Sequence, residues 1–253
     1  TRRSSDLMFQ CVLSQRFSAE YSGRPLDYYR NLRVTNPSNY LYFYDFGDYQ
    51  IIGASPESLV SVKQGQVTTN PIAGTRPRGQ DEREDKALAK ELLADEKEVA
   101  EHRMLVDLGR NDIGKIAQNN SVEVTKYMEV EYFRYVMHLT SVVRGQLLPQ
   151  LTAMDALKST LPAGTVSGAP KIRAMKRIYE LEQEKRGVYA GAIGYLSATG
   201  DMDFAIAIRT MILKNGRAYV QAGAGIVYDS IPTNEYQETI NKAKSMTKIG
   251  EMQ

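Results

Sequence analysis

The sequence predicts an α+β fold in which helices pack on a large antiparallel β-sheet. In the last third of the chain, three apolar segments at 187–197, 203–213 and 217–227 are separated by Thr199-Gly200 and Asn215-Gly216. Asn-Gly between apolar segments is a strong hairpin signal, so these strands should be antiparallel. A long amphipathic pattern elsewhere supplies helices to cover the sheet. With no repeat or linker, residues 1–253 are predicted to form a single domain.

The first third of the chain is predicted to consist mainly of hairpins. Aromatic and β-branched residues alternate with short turn signals such as Gly47-Asp48 and Gln64-Gly65. Such turns favour antiparallel neighbours. The predicted elements are a strand at 8–17, a helix at 25–34, a hairpin of 40–46 with 49–55, and a hairpin of 58–62 with 66–72.

The middle of the chain changes to a helical period. Residues 80–110 predict one long charged helix with a leucine-rich inner stripe, ended by a segment that begins at Gly109. The remaining elements predicted from the pattern are strands at 122–127 and 134–145, a short helix from Thr152, a helix at 170–185 and a closing helix from about Asn234.

A glycine-rich segment, LPAGTVSGAPKIRAMKRIYELE at 161–182, is predicted to turn directly into a helix. Gly164 and Gly168 relax the backbone around Thr165, and Pro170 suits a first helical turn. A helix N-terminus offers unpaired amides and partial positive charge, which favour a carboxylate or phosphate. The alternative is an ordinary capped helix.

Composition narrows the classes of partner. The 32 Lys+Arg and 30 Asp+Glu residues give a net charge of +2, which argues against nucleic acid or an anionic membrane as a partner. No apolar run approaches the roughly 18 residues of a membrane span. Cys11 is the only cysteine, so no intrachain disulfide forms and the cytoplasm is the expected location.

Two pairs of glutamates have helical i, i+3 spacing. Glu98 and Glu101 form one pair, and Glu235 and Glu238 form the other. Each pair could simply lie on a solvated face. If the two helices converge, four carboxylates need a cation, and an all-oxygen ligand set favours Mg²⁺.

Three further features are candidates for chemistry. His138 lies in an apolar strand, where it is either a satisfied core residue or a proton-transfer group, whereas His102 is expected to be structural. Arg209 is a charge in an apolar strand and requires an acidic partner or a carboxylate ligand. Gly223 and Gly225 alternate at a strand end, where bare backbone allows a ligand to approach, but they do not form a dinucleotide motif.

Nine motifs, taken together, resemble the chorismate-utilising enzymes, most closely their anthranilate synthase branch, over nearly the whole chain. The resemblance implies an antiparallel two-layer sandwich with helices outside. The motifs, in order, are FQCVLSQRF, Ser55-Pro-Glu, PIAGTRPRG, EHRMLVDLGRND, VMHLTS, GTVSGAPKIRAM, GAIGY, AIAIRT and QAGAGIVYDSIPTNEYQET.

The resemblance also implies residue roles. Glu57 matches the acid that assists loss of the ring hydroxyl, and His138 matches a histidine of pyruvate elimination. The four glutamates match the family's Mg²⁺ site, with Glu101 and Glu238 favoured as direct ligands. The positions that match contacts to the substrate or to released pyruvate are Gly74, Thr75, Thr165, Tyr189, Arg209, Gly223, Gly225 and Lys242.

Two positions separate the branches that the resemblance leaves open. Gln10 stands where isochorismate and salicylate synthases have a lysine that activates water, and a neutral amide cannot act as that base. Ala73 stands where aminodeoxychorismate synthases have a nucleophilic lysine. The resemblance therefore implies that ammonia is the nucleophile and that anthranilate and pyruvate are the products.

The resemblance also implies a partner subunit and an N-terminal segment that this chain lacks. Ammonia is expected from a glutamine amidotransferase subunit. Relatives have an N-terminal segment that completes the sandwich and, in regulated members, binds tryptophan, and this chain is expected to lack it. The alternatives are one of the other chorismate reactions, or an inactive fragment that only assembles with the amidotransferase.

Overall fold

Residues 8–247, which this computed structural model describes, form antiparallel sheets and helices, and this confirms the predicted α+β class. The strands are β1 Gln10–Glu20, β2 Tyr40–Asp45, β3 Tyr49–Ser55, β4 Ser58–Lys63, β5 Gln66–Thr69, β6 Ile72–Pro77, β7 Glu123–Tyr132, β8 Val136–Gln146, β9 Gly168–Ala169, β10 Ala192–Leu196, β11 Met202–Ile206, β12 Thr210–Lys214 and β13 Arg217–Ile226. The helices are α1 Pro25–Thr35, α2 Glu82–Ala94, α3 Glu96–Gly114, α4 Ala153–Thr160, α5 Gly164–Ser167, α6 Lys171–Leu181 and α7 Pro232–Thr247.

The chain divides into two compact units. Among the described residues, the first unit contains 8–57, 162–193 and 205–247. The second unit contains residues 58–161 and 194–204. Each unit therefore combines segments that are distant in sequence.

A six-stranded sheet organises the first unit, in the order β2-β3-β12-β13-β1-β9. Its longest pairing joins β1 to β13, from Cys11 opposite Ile226 to Glu20 opposite Arg217. Alternate residues of the sheet pack with the helices in one apolar core that includes Leu32, Ile52 and Met246, each 0% exposed. This core holds β1 and β13 in a fixed register.

The second sheet has the order β10-β11-β4-β5-β8-β6, with β7 paired to β8. In the second unit, α2 and α3 lie beside β6 and β8. A core cluster of Leu92, Met137 and Leu139, each 0% exposed, fills the space beneath the helices. The sheet thereby fixes the inner face of α3.

The prediction of one helix over 80–110 is wrong, because the chain breaks at Asp95 between α2 and α3. Asp95 Oδ1 accepts hydrogen bonds from the backbone N–H groups of Lys97 (3.0 Å) and Glu98 (3.2 Å). Arg76 Nη2 donates to Asp95 Oδ2 at 2.8 Å. An aspartate that caps a new helix satisfies amides that a continuous helix would bond internally.

Two predicted strands are each divided in the structure. The segment 203–213 contributes β11 to one sheet and β12 to the other, and the chain changes sheet at 207–209. Arg209 lies between them in the left-handed region with φ 49°, so it is not a strand residue as predicted. The segment 66–72 is likewise divided into β5 and β6, with Pro71, which cannot donate to a ladder, at the break.

The glycine-rich segment does not turn directly into a helix. Gly164–Ser167 form the short α5, Gly168–Ala169 pair with β1 as β9, and α6 starts only at Lys171. Pro170 is the residue that precedes α6 and not its first helical residue. Thr165 therefore lies in α5, and the prediction that the segment turns directly into a helix is wrong.

The other predicted hairpins and helices are confirmed, although the strand predicted at 187–197 covers only Ala192–Leu196, and α3 continues past Gly109 to Gly114. Within residues 8–247 there is no helix long and apolar enough to cross a membrane.

Candidate active site

Glu57 and Thr165 form a hydrogen-bonded pair in the first unit. Thr165 Oγ1 donates to Glu57 Oε1 at 2.9 Å. Burial raises the pKa of Glu57 to about 7, although the Thr165 hydrogen bond and the charges of Lys242 and Arg209 favour its ionised form. A carboxyl group with this pKa can donate a proton near neutral pH.

The Ser55-Pro-Glu segment explains the position of Glu57. Ser55 is 0% exposed, and its Oγ donates to the carbonyl of Ile206 at 2.7 Å. The backbone N–H of Ile206 in turn donates to the carbonyl of Glu57 at 3.0 Å. The end of β3 is thus fastened to the end of β11, which fixes the backbone that carries the acid.

Arg209 and Tyr189 lie near Glu57 on segments that are joined through their backbones. Ala190 N–H donates to the carbonyl of Ala207 at 3.0 Å, and Ala54 N–H donates to the carbonyl of Arg209 at 3.0 Å. Burial lowers the pKa of the Arg209 guanidinium, and nearby Tyr189 and Glu57 partly offset this. A large residue held at positive φ is strained, which is typical of positions selected for function.

Lys242 brings α7 to the glycine-rich end of β13. Its Nζ donates to the carbonyl of Gly223 at 3.0 Å and forms an ion pair with Glu238 Oε1 at 2.5 Å. A side chain at Gly223 would bring its Cβ to 2.7 Å from Tyr189 Oη and 2.8 Å from Leu13 O. Glycine is therefore required there by packing, whatever its role toward a ligand.

Gln10 lies beside the second glycine of the pair. A Cβ on Gly225 would come within 2.6 Å of Gln10 Nε2. The Gln10 side chain is only 4% exposed. Gln10 therefore lies beside the glycine-rich end of β13.

A second group of predicted residues assembles in the second unit around His138. Its Nδ1 lies 3.0 Å from the carbonyl oxygen of Gly74 and 3.1 Å from Thr75 Oγ1. Burial lowers the pKa of His138, which favours the neutral imidazole. Gly74 has φ +73°, and a Cβ there would lie 3.3 Å from Glu98 Oε2. Neutral His138 can accept or relay a proton.

The glutamate pair of α3 suits a hard cation. Burial raises the pKa of Glu98, and the charge of Glu101 raises it further. Two oxygen ligands whose charges repel are the kind of pair that Mg²⁺ stabilises. In α7, Glu235 lies in the first turn and Glu238 pairs with Lys242. Within residues 8–247 no group of three or more His, Cys, Asp or Glu side chains is assembled for a metal.

His102 was expected from the sequence to be structural, whereas Arg186 was not singled out at all. His102 is 0% exposed and lies 2.6 Å from Ser141 Oγ through Nε2, and burial lowers its pKa to about 4, as suits a structural residue. Arg186 and its partner Glu182 were not predicted, although Arg186 contacts Val166 and Tyr189 and Glu182 contacts Ser14. The available signal was the pair of opposite charges four residues apart just after α6.

The first group can perform acid catalysis beside an anion. Glu57 supplies a proton, while Arg209 and Lys242 supply positive charge within the same unit. Such cations stabilise carboxylates of a ligand and charge that develops during a reaction. The second group offers the imidazole of His138 and the hydroxyl of Thr75, each of which can donate or accept a hydrogen bond.

Comparison with known proteins covers both units. A family model described as chorismate binding enzyme matches residues 4–248. Among curated proteins, anthranilate synthase component 1 of Lactococcus lactis is 64% identical over 96% of this chain and 54% of its own length. The same component of Acetivibrio thermocellus is 58% identical over 97% of this chain and 50% of its own length. The chain thus spans about half the length of the curated relatives it matches.

Solved structures share the fold. A crystal structure of anthranilate synthase component I from Streptococcus pneumoniae TIGR4 has a TM-score of 0.89 and 84% identity over 95% of this chain and 53% of that chain. The menaquinone-specific isochorismate synthase of Escherichia coli has a TM-score of 0.86 and 26% identity over 96% of this chain and 56% of that chain. One fold thus serves relatives whose names describe two different reactions.

Proposed function

The chain belongs to the family of chorismate-binding enzymes, and from that membership we propose that it converts chorismate and ammonia to anthranilate and pyruvate. The observation that carries the proposal is Glu57, a carboxyl with a pKa of about 7 that lies close to Thr165, Arg209 and Lys242. Chorismate carries two carboxylates and a hydroxyl that leaves with difficulty. An acid placed among cations suits that substrate.

The hydroxyl proton donor in this proposal is Glu57 Oε2. Thr165 donates to Oε1 and so leaves Oε2 to carry the proton. As ammonia attacks C2 of the ring, the C4 hydroxyl takes this proton and departs as water. Arg209 and Lys242 hold carboxylate charge while this occurs. Loss of the C2 proton then breaks the C3–O bond and makes the ring aromatic, and the departing enolpyruvyl methylene gains a proton to become pyruvate. His138 is proposed to assist that proton transfer.

Gln10 and Ala73 support ammonia over other nucleophiles. The Gln10 side chain lies beside Gly225, and its amide has no basic lone pair with which to activate water. Ala73 in β6 lies opposite Leu139 of β8 and has no nucleophilic group. We propose that a glutamine amidotransferase subunit supplies the ammonia and that the protein acts in the cytoplasm.

The direct test is product formation by the 253-residue chain. We expect chorismate, Mg²⁺ and an ammonium salt to yield fluorescent anthranilate and an equal amount of pyruvate. Formation of isochorismate or aminodeoxychorismate alone would reassign the reaction within the family. A folded protein that consumes no chorismate would contradict the proposal and favour an assembly role.

We propose further that Glu98, Glu101, Glu235 and Glu238 hold Mg²⁺. The repulsion between Glu98 and Glu101 and their all-oxygen chemistry support a hard cation. When bound, the ion supplies positive charge to a substrate carboxylate.

Glu101→Gln is expected to weaken Mg²⁺ binding by at least about 10-fold to 100-fold, the range already found when only an outer-shell partner of a metal ligand is lost. Isothermal titration with Mg²⁺ measures this without turnover, and assays at rising Mg²⁺ should show a matching increase in the concentration required. Glu96→Gln, an exposed neighbour in the first turn of α3, is the matched control. Wild-type Mg²⁺ affinity in Glu101→Gln would remove Glu101 from the metal site.

A further inference from the structure

A partly buried ion pair, Glu182 and Arg186, bonds the edge of β1 where no neighbouring strand within residues 8–247 pairs with it. Strand β9 pairs with β1 only at Gln10 and Cys11. Beyond that point, Arg186 Nη2 donates to the carbonyl of Val12 at 2.7 Å, and Glu182 Oε1 accepts from the backbone N–H of Ser14 at 2.8 Å. Edge groups of a sheet need partners when covered, and here two side chains provide them.

The geometry of the pair is that of a fixed fork. Arg186 Nε donates to Glu182 Oε2 at 2.8 Å, and Nη2 donates to Oε1 at 2.6 Å. The side chains are only 16% and 9% exposed. A bidentate arginine–carboxylate pair is more rigid than a lysine pair, because the planar fork fixes direction as well as distance.

The Arg186 guanidinium also contacts the segment that contains Thr165, the hydrogen-bond partner of the proposed acid Glu57. Arg186 Nη1 donates to the carbonyl of Val166 at 2.6 Å, one residue after Thr165. The guanidinium carbon also lies 5.3 Å from the ring centre of Tyr189. Val12 and Ser14, the other contacts of the pair, stand opposite Gly225 and Gly223 in the register of β1 with β13.

We propose that Glu182 and Arg186 are positioning residues that hold Thr165 in hydrogen-bonding distance of Glu57. The inference rests on the proposed function for its kinetic consequence, but its structural consequence is independent of the reaction. Each member acts through the backbone of α5 and β1 and does not touch the reacting atoms. Loss of the Arg186 guanidinium should break its hydrogen bond to the Val166 carbonyl, and this should weaken the hydrogen bond from Thr165 to Glu57.

The structural test is amide hydrogen exchange on Arg186→Gln, Arg186→Lys and the wild-type chain. We expect the Ser14 amide and the amides of residues 164–168 to exchange at least about tenfold faster in Arg186→Gln. Arg186→Lys should be intermediate, because an ammonium keeps the charge but cannot reproduce the fork. The control is Arg177→Gln, which removes an exposed Arg–Glu pair of α6. Unchanged exchange at these amides in either Arg186 variant would overturn the inference.

The kinetic test asks whether Arg186 acts through Thr165. We expect Arg186→Gln to lower kcat about 10-fold to 100-fold, since small displacements of a positioned group have effects of this size. Thr165→Val should have a similar effect. If Arg186 works through Thr165, the double variant should be no slower than the slower single variant. Effects that multiply would show independent roles and overturn the inference.

Failure of the proposed function is distinguishable from failure of this inference. A wild-type chain that consumes no chorismate contradicts the function, and the exchange experiment then decides the positioning role alone. A variant with faster global exchange would be destabilised throughout, and this is separated from the local effect by comparing amides of the core of α7 and β13. Faster exchange spread evenly over both regions would contradict a positioning role.

Discussion

Glu57→Gln is expected to lower kcat for anthranilate formation by about 10²-fold to 10⁴-fold, the range contributed by a positioned general acid. Glutamine keeps the size of the side chain and can still accept the Thr165 hydrogen bond at its amide oxygen. It lacks a proton that can be transferred to a leaving hydroxyl. The change should therefore affect turnover much more than folding.

The pH profile provides a second signature of this acid. Burial raises the pKa of Glu57 to about 7, so the protonated form that donates is present below that pH and is lost above it. We expect kcat of the wild-type chain to fall as the pH rises through about 7, and the residual activity of Glu57→Gln to lack this limb.

Glu20→Gln is the matched control, because Glu20 lies at the exposed end of β1. It should retain wild-type turnover and pH profile. The measurement is initial-rate kinetics at saturating chorismate and ammonium across the pH range. Wild-type turnover in Glu57→Gln would remove Glu57 from the acid role and return the assignment to His138 or to solvent.

Gly168→Ala is expected to destabilise the first unit and to disable the site together. Gly168 has φ +130°, and a Cβ there would lie 2.2 Å from the carbonyl oxygen of Gln10 and 3.1 Å from Ala174 Cβ. The first contact is with backbone in β1, which cannot rotate away. Overpacking of this kind costs about 1–3 kcal/mol, and a φ/ψ combination that glycine almost alone adopts adds about 1–3 kcal/mol.

Gly47→Ala separates the two contributions. Gly47 also has a positive φ, +82°, but a Cβ there meets nothing within 4 Å. It should lose only the conformational contribution, about 1–2 kcal/mol in the free energy of unfolding. Urea-induced unfolding measures both variants. Equal losses would mean that β9 moves aside at little cost and that Thr165 is not held by its pairing.

The sequence was most informative where local chemistry decides local structure. The Asn215-Gly216 turn predicts the hairpin of β12 and β13, because a two-residue turn between apolar strands leaves few alternatives. Glu57, Tyr189 and Lys242 were identified only through the family resemblance, whereas Thr165 and Arg209 were also singled out by their local sequence. Their approach to one another depends on pairings between distant segments, which no local pattern contains.

The failures share one cause. Residues 203–213 alternate like a single strand, yet Arg209 takes a left-handed conformation that hydrogen bonding to Ala54 and the division between two sheets impose. At Asp95, an ordinary polar position of a helical pattern becomes a cap because Arg76 also binds it. In both cases the strand or helix period holds before and after the break, but tertiary contacts override it at the break itself.

The break at Asp95 separates the length of α2 from the orientation of α3. In a continuous helix each inserted residue rotates everything beyond it by about 100°, so one insertion would turn Glu98 and Glu101 away from their neighbours. Because α3 starts afresh from the Asp95 cap, which Arg76 anchors, its rotational phase is set there and not by the length of α2. Insertions and deletions in α2 can therefore accumulate without reorienting the two glutamates, whereas the same changes after residue 95 cannot.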